Sequence, residues 1–424
     1  MSSRDWAGIV LGVLVAAFGA LIAGTVPRRV GPPTRADQLA ALDELPADQV
    51  ARGRAFAAAR RPPSYASIVV SVGLLLALGL TTAGSHVVTA AGSIAGGGWY
   101  ADGILGGLAL ILASSVATLP FAAWRHRVSR SYGLATQGWR GWAMDVLKGY
   151  AVSMVLGGLA LAGFFAVVRA APSTWWAWAA IGAASLVVLL SFVVPVVIEP
   201  IFNKFTPMGD SALRTELLAL AARDAVPVRD VLVADASRRT KAVNAYVSGF
   251  GATRRIVVYD TLLDRATEAE VTSVVAHELG HAKDRDVVTG TAIGALGTAA
   301  GVVAVYVIGG WTALVRGAGA PDIGDPRALA LLMAIAAVAG IVSMPLQNLL
   351  SRRVEARADA HALALTRDAE TFGQMQARLA EANLANVDPS RFEYVMFASH
   401  PTTVQRIAAA RVFGRDADAS GVPA

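Results

Sequence analysis

The sequence predicts a mainly α-helical, polytopic membrane protein with seven membrane-crossing helices and a polar α+β domain on the cytoplasmic side. Three observations carry this. The 424-residue chain is 55% hydrophobic and only 16% charged, where a soluble domain holds about a quarter charged residues. Its apolar residues gather in stretches long enough to span a bilayer. Its basic residues alternate between loops in the way that orients such spans.

A bilayer core takes about 20 mainly apolar residues per helix. Stretches of that kind lie at 6–26, 65–85, 102–123, 149–168, 175–198, 287–311 and 327–349. The segment 86–99 is apolar but rich in glycine, and reads either as an extension of the second span or as a re-entrant turn. The first span has a nearly neutral N-side (Arg4, Asp5), with Arg28 and Arg29 just after it. That polarity fits a retained anchor with its N-terminus outside better than a cleaved signal peptide.

The loops agree on orientation. Loop 27–64 carries Arg28, Arg29, Arg35, Arg52, Arg54, Arg60 and Arg61, and loop 124–148 carries Arg125, Arg127, Arg130, Arg140 and Lys148. Segment 86–101 has no Lys or Arg, 169–174 has Arg169 alone and 312–326 has Arg316 alone. Lys and Arg mark the cytoplasmic face, so 199–286 and 350–424 are placed there too. The net charge of +6 then follows from topology. No basic and aromatic platform is interleaved as single-strand binders require, and no nucleic-acid partner is expected. Consistent alternation over seven spans argues against a large soluble helical protein. The lack of an internal repeat argues against a transporter.

Four segments result: 1–198 with helices 1–5, the polar block 199–286, helices 6–7 in 287–349, and the polar tail 350–424. In the first polar block, Leu213, Leu217, Leu218 and Leu220 predict a helix over 211–224. Strand-like runs follow at Val228–Val233 and Arg255–Tyr259, with a short one at Asn244–Val247. Thr267 and Glu270 have the spacing of a capping box. The helix that they open contains His277-Glu278-Leu279-Gly280-His281.

Two histidines four apart share a helix face, and both imidazoles reach one ion. Glu278 flanks the same ion, placed to take a proton from an activated water and pass it to a leaving amine. With no cysteine and only six histidines in the chain, a chance match is improbable. This is the signature of a zincin-like metallopeptidase with one Zn2+. Gly280 is expected to leave room beside the metal. His86 and His126 read as structural or interfacial.

A catalytic zinc needs a third protein ligand and one open position. Glu355 and Asp359 share a helix face, and either can bind the metal while the other anchors a ligand imidazole. The ordinary alternative is a solvated pair bridging to Arg352 or Arg353. His361 is a rival ligand on another face. His400, before Pro401, reads either as a residue at a helix start or as a donor to an oxyanion.

Beyond this motif the chain resembles the type I CAAX prenyl endopeptidases, integral-membrane zinc peptidases that cleave beside a prenylated cysteine. The resemblance rests on Tyr132-Gly133-Leu134-Ala135-Thr136-Gln137 with Asp145–Gly149, on Pro200–Pro207, on Asn244–Gly249, on Ile256–Leu262, on Ser351–Asp359 and on Ser399-His400-Pro401. It covers about residues 127–406, and the 27–64 loop has no counterpart in it. It implies His277, His281 and Glu355 as metal ligands, Glu278 as base and Asp359 as the carboxylate behind a ligand. It implies that Asn244 holds the substrate backbone and that His400 stabilises the oxyanion. It also implies seven helices around a water-filled chamber closed at its cytoplasmic end by the metallopeptidase domain. The chain departs from the family at Ala282-Lys283-Asp284-Arg285-Asp286, where bulky, less charged residues are expected.

The Ala- and Arg-rich composition points to a bacterial inner membrane with the site facing the cytoplasm. The expected partners are the lipid bilayer and a peptide or protein substrate, lipid-modified or membrane-associated. Two competing functions are a heat-shock-type quality-control metallopeptidase, which has fewer spans, and a non-enzymatic scaffold or transporter carrying a relic site.

Overall fold

A computed structural model describes residues 1–27, 33–249 and 251–419; Arg28 and Arg29 of the first basic loop lie outside them. Among the described residues, seven helices are long and apolar enough to cross a membrane: Ser3–Thr25, Ala47–Gly79, Trp99–Ser131, Trp139–Ala170, Trp175–Phe202, Asp286–Ile308 and Pro326–Thr366. They match the expected spans in number and order, but several run further. The second extends back to Ala47 through Pro62 and Pro63, so much of the basic loop is helical. The fifth continues through a π turn at Val194–Ile198 to Phe202. The seventh runs unbroken from Leu329 to Thr366, making the last span and the segment bearing Glu355 one rigid rod. The stretch 86–99 does not extend the second span, which ends at Gly79. Ala83–Ser93 is a separate helix packed against the starts of the third and seventh long helices.

The sixth, fifth, fourth, third, second and seventh long helices pack in that order, with the seventh returning to the sixth, and the first packs mainly on the sixth. Only 0 to 22% of each apolar window is buried. A close-packed bundle buries one face of every helix, so this ring encloses open space. The buried residues collect instead at one end, where Phe165, Trp175, Trp176 and Val303 meet Ala7, Ala330 and Leu331. Glycine permits that closure: a Cβ on Gly106 would stand 2.7 Å from Val88. From Leu331 to Glu355 is about 36 Å along the seventh helix at 1.5 Å per residue, so the plug and the polar domain lie at opposite ends.

The polar domain is built on four strands: β1 (Phe205–Pro207), β2 (Asp230–Ala234), β3 (Ala245–Ser248) and β4 (Arg255–Tyr259). Their order is β1-β2-β4-β3, with β2 and β4 parallel and the outer pairs antiparallel. Strand β1 was not anticipated, since three residues ending in proline are too short to show alternation. Val231, Ile256 and Val258 are fully buried against Leu217 and Leu220 of the helix Ala212–Arg223 and Val275 and Leu279 of the helix Glu268–Lys283. The capping box opening the latter is present: Glu270 N–H donates to Thr267 Oγ1 (3.3 Å) and Thr267 N–H to Glu270 Oε2 (2.8 Å).

Arg239 ties this domain to the membrane helices. It donates to Asp145 Oδ2 (2.8 Å), to Asn203 Oδ1 (2.6 Å) and to the Phe202 carbonyl, and Gln137 also bonds Asp145. Three of the segments that carried the family resemblance thus meet in one junction.

Candidate active site

The helix Glu268–Lys283 lies against the polar half of Leu329–Thr366, and the three candidate ligands converge where they cross. His281 Nε2 is 3.1 Å from His277 Nε2. Glu355 places Oε2 3.3 Å from His277 Nε2 and Oε1 3.6 Å from His281 Nε2. Ligands about 2.0–2.1 Å from a tetrahedral ion stand about 3.3 Å apart, so the triangle has the size that a metal requires.

The proton positions point the same way. His277 Nδ1 is 2.9 Å from Asp359 Oδ1, and His281 Nδ1 is 2.9 Å from Asp286 Oδ2. Each carboxylate accepts a hydrogen bond from Nδ1–H, and the neutral imidazole then has its Nε2 lone pair aimed at the partner imidazole. Two facing lone pairs, with a buried Glu355 Oε2 that has no hydrogen-bond partner, fit a cation between them. Without one, burial opposes charge on His277, but Asp359 and Glu355 outweigh it and raise its pKa to about 9. Burial likewise opposes ionisation of Glu355, and His277 outweighs it, keeping the carboxylate charged.

The supporting carboxylates are themselves held. Arg406, on the last helix, forks onto both oxygens of Asp359, with Nε at 2.8 Å from Oδ2 and Nη2 at 2.5 Å from Oδ1. Asp359 is buried and Arg406 mostly so, and the guanidinium, with His277, holds Asp359 far below the ordinary carboxylate range against its desolvation. Arg357 bonds Asp286 and reaches Asp284 at 2.6 Å. The charged run 282–286 is therefore part of the support: Lys283 pairs with Asp224 (2.6 Å), and Asp286 orients His281. Spacing did not single out Arg406, Arg357 or Asp224, since each acts across elements. Asp286 was visible only as a departure.

His361 does not join the metal triangle. Its Nε2 bonds buried Asp224 Oδ2 at 2.9 Å. Its ring covers Gly280, where a Cβ would meet it at 3.0–3.2 Å. The expectation for Gly280 is thereby corrected: the missing side chain makes room for His361, not for the metal, because Gly280 sits on the helix face turned to the neighbouring rod.

Glu278 lines a cleft of about 330 Å³ together with His281 and Glu355. Burial pushes its carboxyl pKa up, with the two imidazoles pulling the other way. His400 Nε2 stands 3.3 Å from Glu355 Oε2, with Nδ1 2.8 Å from Ser399 Oγ and the side chain 56% exposed. The following helix starts only at Thr403, so His400-Pro401 is not a helix start. Asn244 immediately precedes edge strand β3; its side chain is exposed, and its carbonyl accepts from Tyr259 N–H at 3.0 Å. His126 packs between Trp139 and Trp142, away from the ligands.

The chain is similar in sequence and fold to known membrane metalloproteases. A profile of Peptidase family M48 matches residues 207–413. One described as CAAX prenyl protease N-terminal, five membrane helices, matches 36–204. The chain is 30% identical over 300 residues to the uncharacterized metalloprotease YhfN of Bacillus subtilis, covering 70% of each. It is 33% identical over 314 residues to a CAAX prenyl protease 1 homolog of Oryza sativa, again 70% of each. The crystal structure of S. mikatae Ste24p superposes with a TM-score of 0.77 at 22% identity, over 96% of this chain and 98% of that one. Its likeness is one of fold.

Proposed function

Because the chain belongs to Peptidase family M48 and is an integral-membrane metalloprotease, we propose that it is a zinc endopeptidase of the CAAX prenyl protease type. The observation that carries this is the pair of imidazoles and Glu355, held at metal-binding spacing by Asp359 and Asp286, at the polar end of a seven-helix enclosure. The seven spans and the match over 36–204 support it over a quality-control peptidase with fewer helices. Membrane-associated peptides, lipid-modified beside the scissile bond, are the proposed substrates. The charge of the loops supports a site on the cytoplasmic side, and the Ala- and Arg-rich composition supports a bacterial inner membrane.

His277, His281 and Glu355 would hold the zinc, leaving one position open. When bound, zinc supplies the Lewis acidity that makes water nucleophilic near neutral pH and polarises the scissile carbonyl. Glu278 accepts the proton of the attacking water and returns it to the leaving amine. His400 donates to the oxyanion that develops.

The substrate backbone docks on β3. Tyr259 N–H bonds Asn244 O, and the register pairs Tyr246 with Val257 and Val247 with Ile256. Antiparallel pairs alternate between bonded and non-bonded, so the N–H and C=O groups of Ala245 and Val247 face away from β4. An extended peptide adds there as a further strand, with the Asn244 side chain at its margin.

The test uses the purified full chain in detergent, loaded with zinc, on a farnesylated CAAX peptide and its unmodified twin. Cleavage is expected to stop with chelation, return with zinc, and fall by about 10²–10⁴ or more in Glu278→Gln while zinc stays bound. Cleavage that survives Glu278→Gln refutes the mechanism, and equal cleavage of the two peptides refutes the lipid preference.

A further inference from the structure

Among the described residues, Arg352 is the one Lys or Arg that is buried, 8% exposed. A buried arginine ordinarily has a carboxylate partner, and among the described residues Arg352 has none. Glu355 and Asp359 lie on its own helix but are bonded to His277 and Arg406. Its hydrogen bonds go to backbone instead. Nη1 donates to the Tyr394 carbonyl at 2.9 Å and to the Ala398 carbonyl at 2.6 Å. The guanidinium carbon stands 4.4 Å from the centre of the Tyr394 ring.

These carbonyls lie at the end of a short helix, Arg391–Phe397. The last four carbonyls of a helix have no partner within it, and basic side chains can supply one. Asn348, one turn before Arg352 on the rod, donates Nδ2 to the Met396 carbonyl at 2.5 Å. A neutral amide thus meets the same need, and capping alone does not call for a buried charge. Arg352 adds a bridge over the helix end. One nitrogen holds Tyr394 inside the helix and Ala398 just past it, where the backbone turns extended at φ −88° and ψ 110°.

His400 follows two residues later, in a stretch, 398–402, with no helix or strand of its own. Its path is therefore set by its two ends. The far end is tied to the same tyrosine: Gln405 Oε1 accepts from Thr402 N–H at 2.9 Å and from the Tyr394 hydroxyl at 3.0 Å. Arg352 fastens this closed loop to the rod. Three residues further along, the rod carries Glu355, whose Oε2 is 3.3 Å from His400 Nε2.

We propose that Arg352 is a positioning residue for His400. By holding Tyr394 and Ala398 to the rod that bears Glu355, it sets the imidazole at a fixed place beside the metal triangle. This inference rests on the reading of His400 as the oxyanion donor of a peptidase.

The test uses the zinc-loaded full chain in detergent and a peptide that it cleaves. Arg352→Met keeps the apolar stem and loses the donors. A misplacement of about 1 Å costs on the order of 10² in rate, so kcat is expected to fall about 10²-fold, with KM and zinc content near wild type. In the His400→Phe background the same substitution should cost less than about threefold, because the group that it positions is gone. Arg352→Lys retains donors for both carbonyls and should recover most of kcat. A loss undiminished in His400→Phe, or expressed only in KM or zinc content, overturns the proposal. If Arg352→Met does not fold, Arg352→Gln, shorter and uncharged, takes its place in the same cycle.

Hydrogen exchange of the metal-free protein separates this inference from the readings beneath it. In Arg352→Met, exchange should rise about tenfold or more across 391–402 and stay unchanged across 268–283. That result with no cleavage by the wild type defeats the peptidase reading and keeps the positioning contact. Cleavage by the wild type, with neither exchange nor kcat altered in Arg352→Met, defeats the contact and keeps the peptidase. Cleavage unaffected by His400→Phe defeats the oxyanion reading and this inference together.

Discussion

His277 and Asp359 stand 2.9 Å apart, Nδ1 to Oδ1, one on each of the helices that build the site. This contact fixes which imidazole nitrogen keeps its proton and so which one is free for the metal.

Asp359→Asn should therefore weaken metal binding more than it disturbs the fold. Removing a carboxylate behind a ligand imidazole typically costs about 10–100-fold in affinity. The bond to Arg406, largely shielded from solvent, is weakened as well, so some stability is lost. Zinc retention against a graded competing chelator measures the effect. Retention equal to wild type would show that Asp359 does not orient the ligand.

Metal binding should release a proton from His277. In the metal-free protein its pKa is raised from 6.5 to about 9, and the ligand form is neutral. Below that pH, apparent zinc affinity should fall about tenfold per unit through this one proton. The linkage has the opposite sign for metal-free stability. Charged His277 between Asp359 and Glu355 contributes fully below pH 6.5, and the contribution is lost as pH rises through about 9. Calorimetry of zinc binding in buffers of different ionisation enthalpy counts the proton.

Gly280→Ala should push two helices apart. The added Cβ meets the His361 ring at 3.0–3.2 Å, and that ring is anchored to Asp224. Overpacking of this kind costs about 1–3 kcal/mol. Because the rod bearing His361 also bears Glu355, zinc affinity should fall together with the thermal midpoint. Adding His361→Ala should restore much of the packing; a double variant no better than the single would point to another cause.

His400→Phe should lower kcat by about 10²–10³ if the imidazole supports the oxyanion, with zinc content unchanged. A loss expressed only in KM would instead make His400 a contact for bound substrate.

Much of this was legible because it is encoded in neighbouring residues. Apolar runs and the alternation of basic loops carried the seven helices. Thr267 and Glu270 signalled the start of the helix that carries His277 and His281, and the spacing of the two histidines put both imidazoles on one face. Boundaries were less legible, because the helix through Glu355 continues where hydrophobicity stops, its hydrogen bonds being indifferent to the solvent beside them.

By itself the sequence determined a membrane protein with a helix carrying His277-Glu278-Leu279-Gly280-His281, since local periodicity and hydropathy depend on residues a few positions apart. Among Glu355, Asp359 and His361 it left the ligand open. Only the packing of the seventh rod on that helix brings Glu355 to the imidazoles, seats Asp359 on Arg406 and turns His361 to Asp224 over Gly280. Those contacts join residues far apart in the chain, and side-chain spacing along one helix carries no information about which face another helix meets.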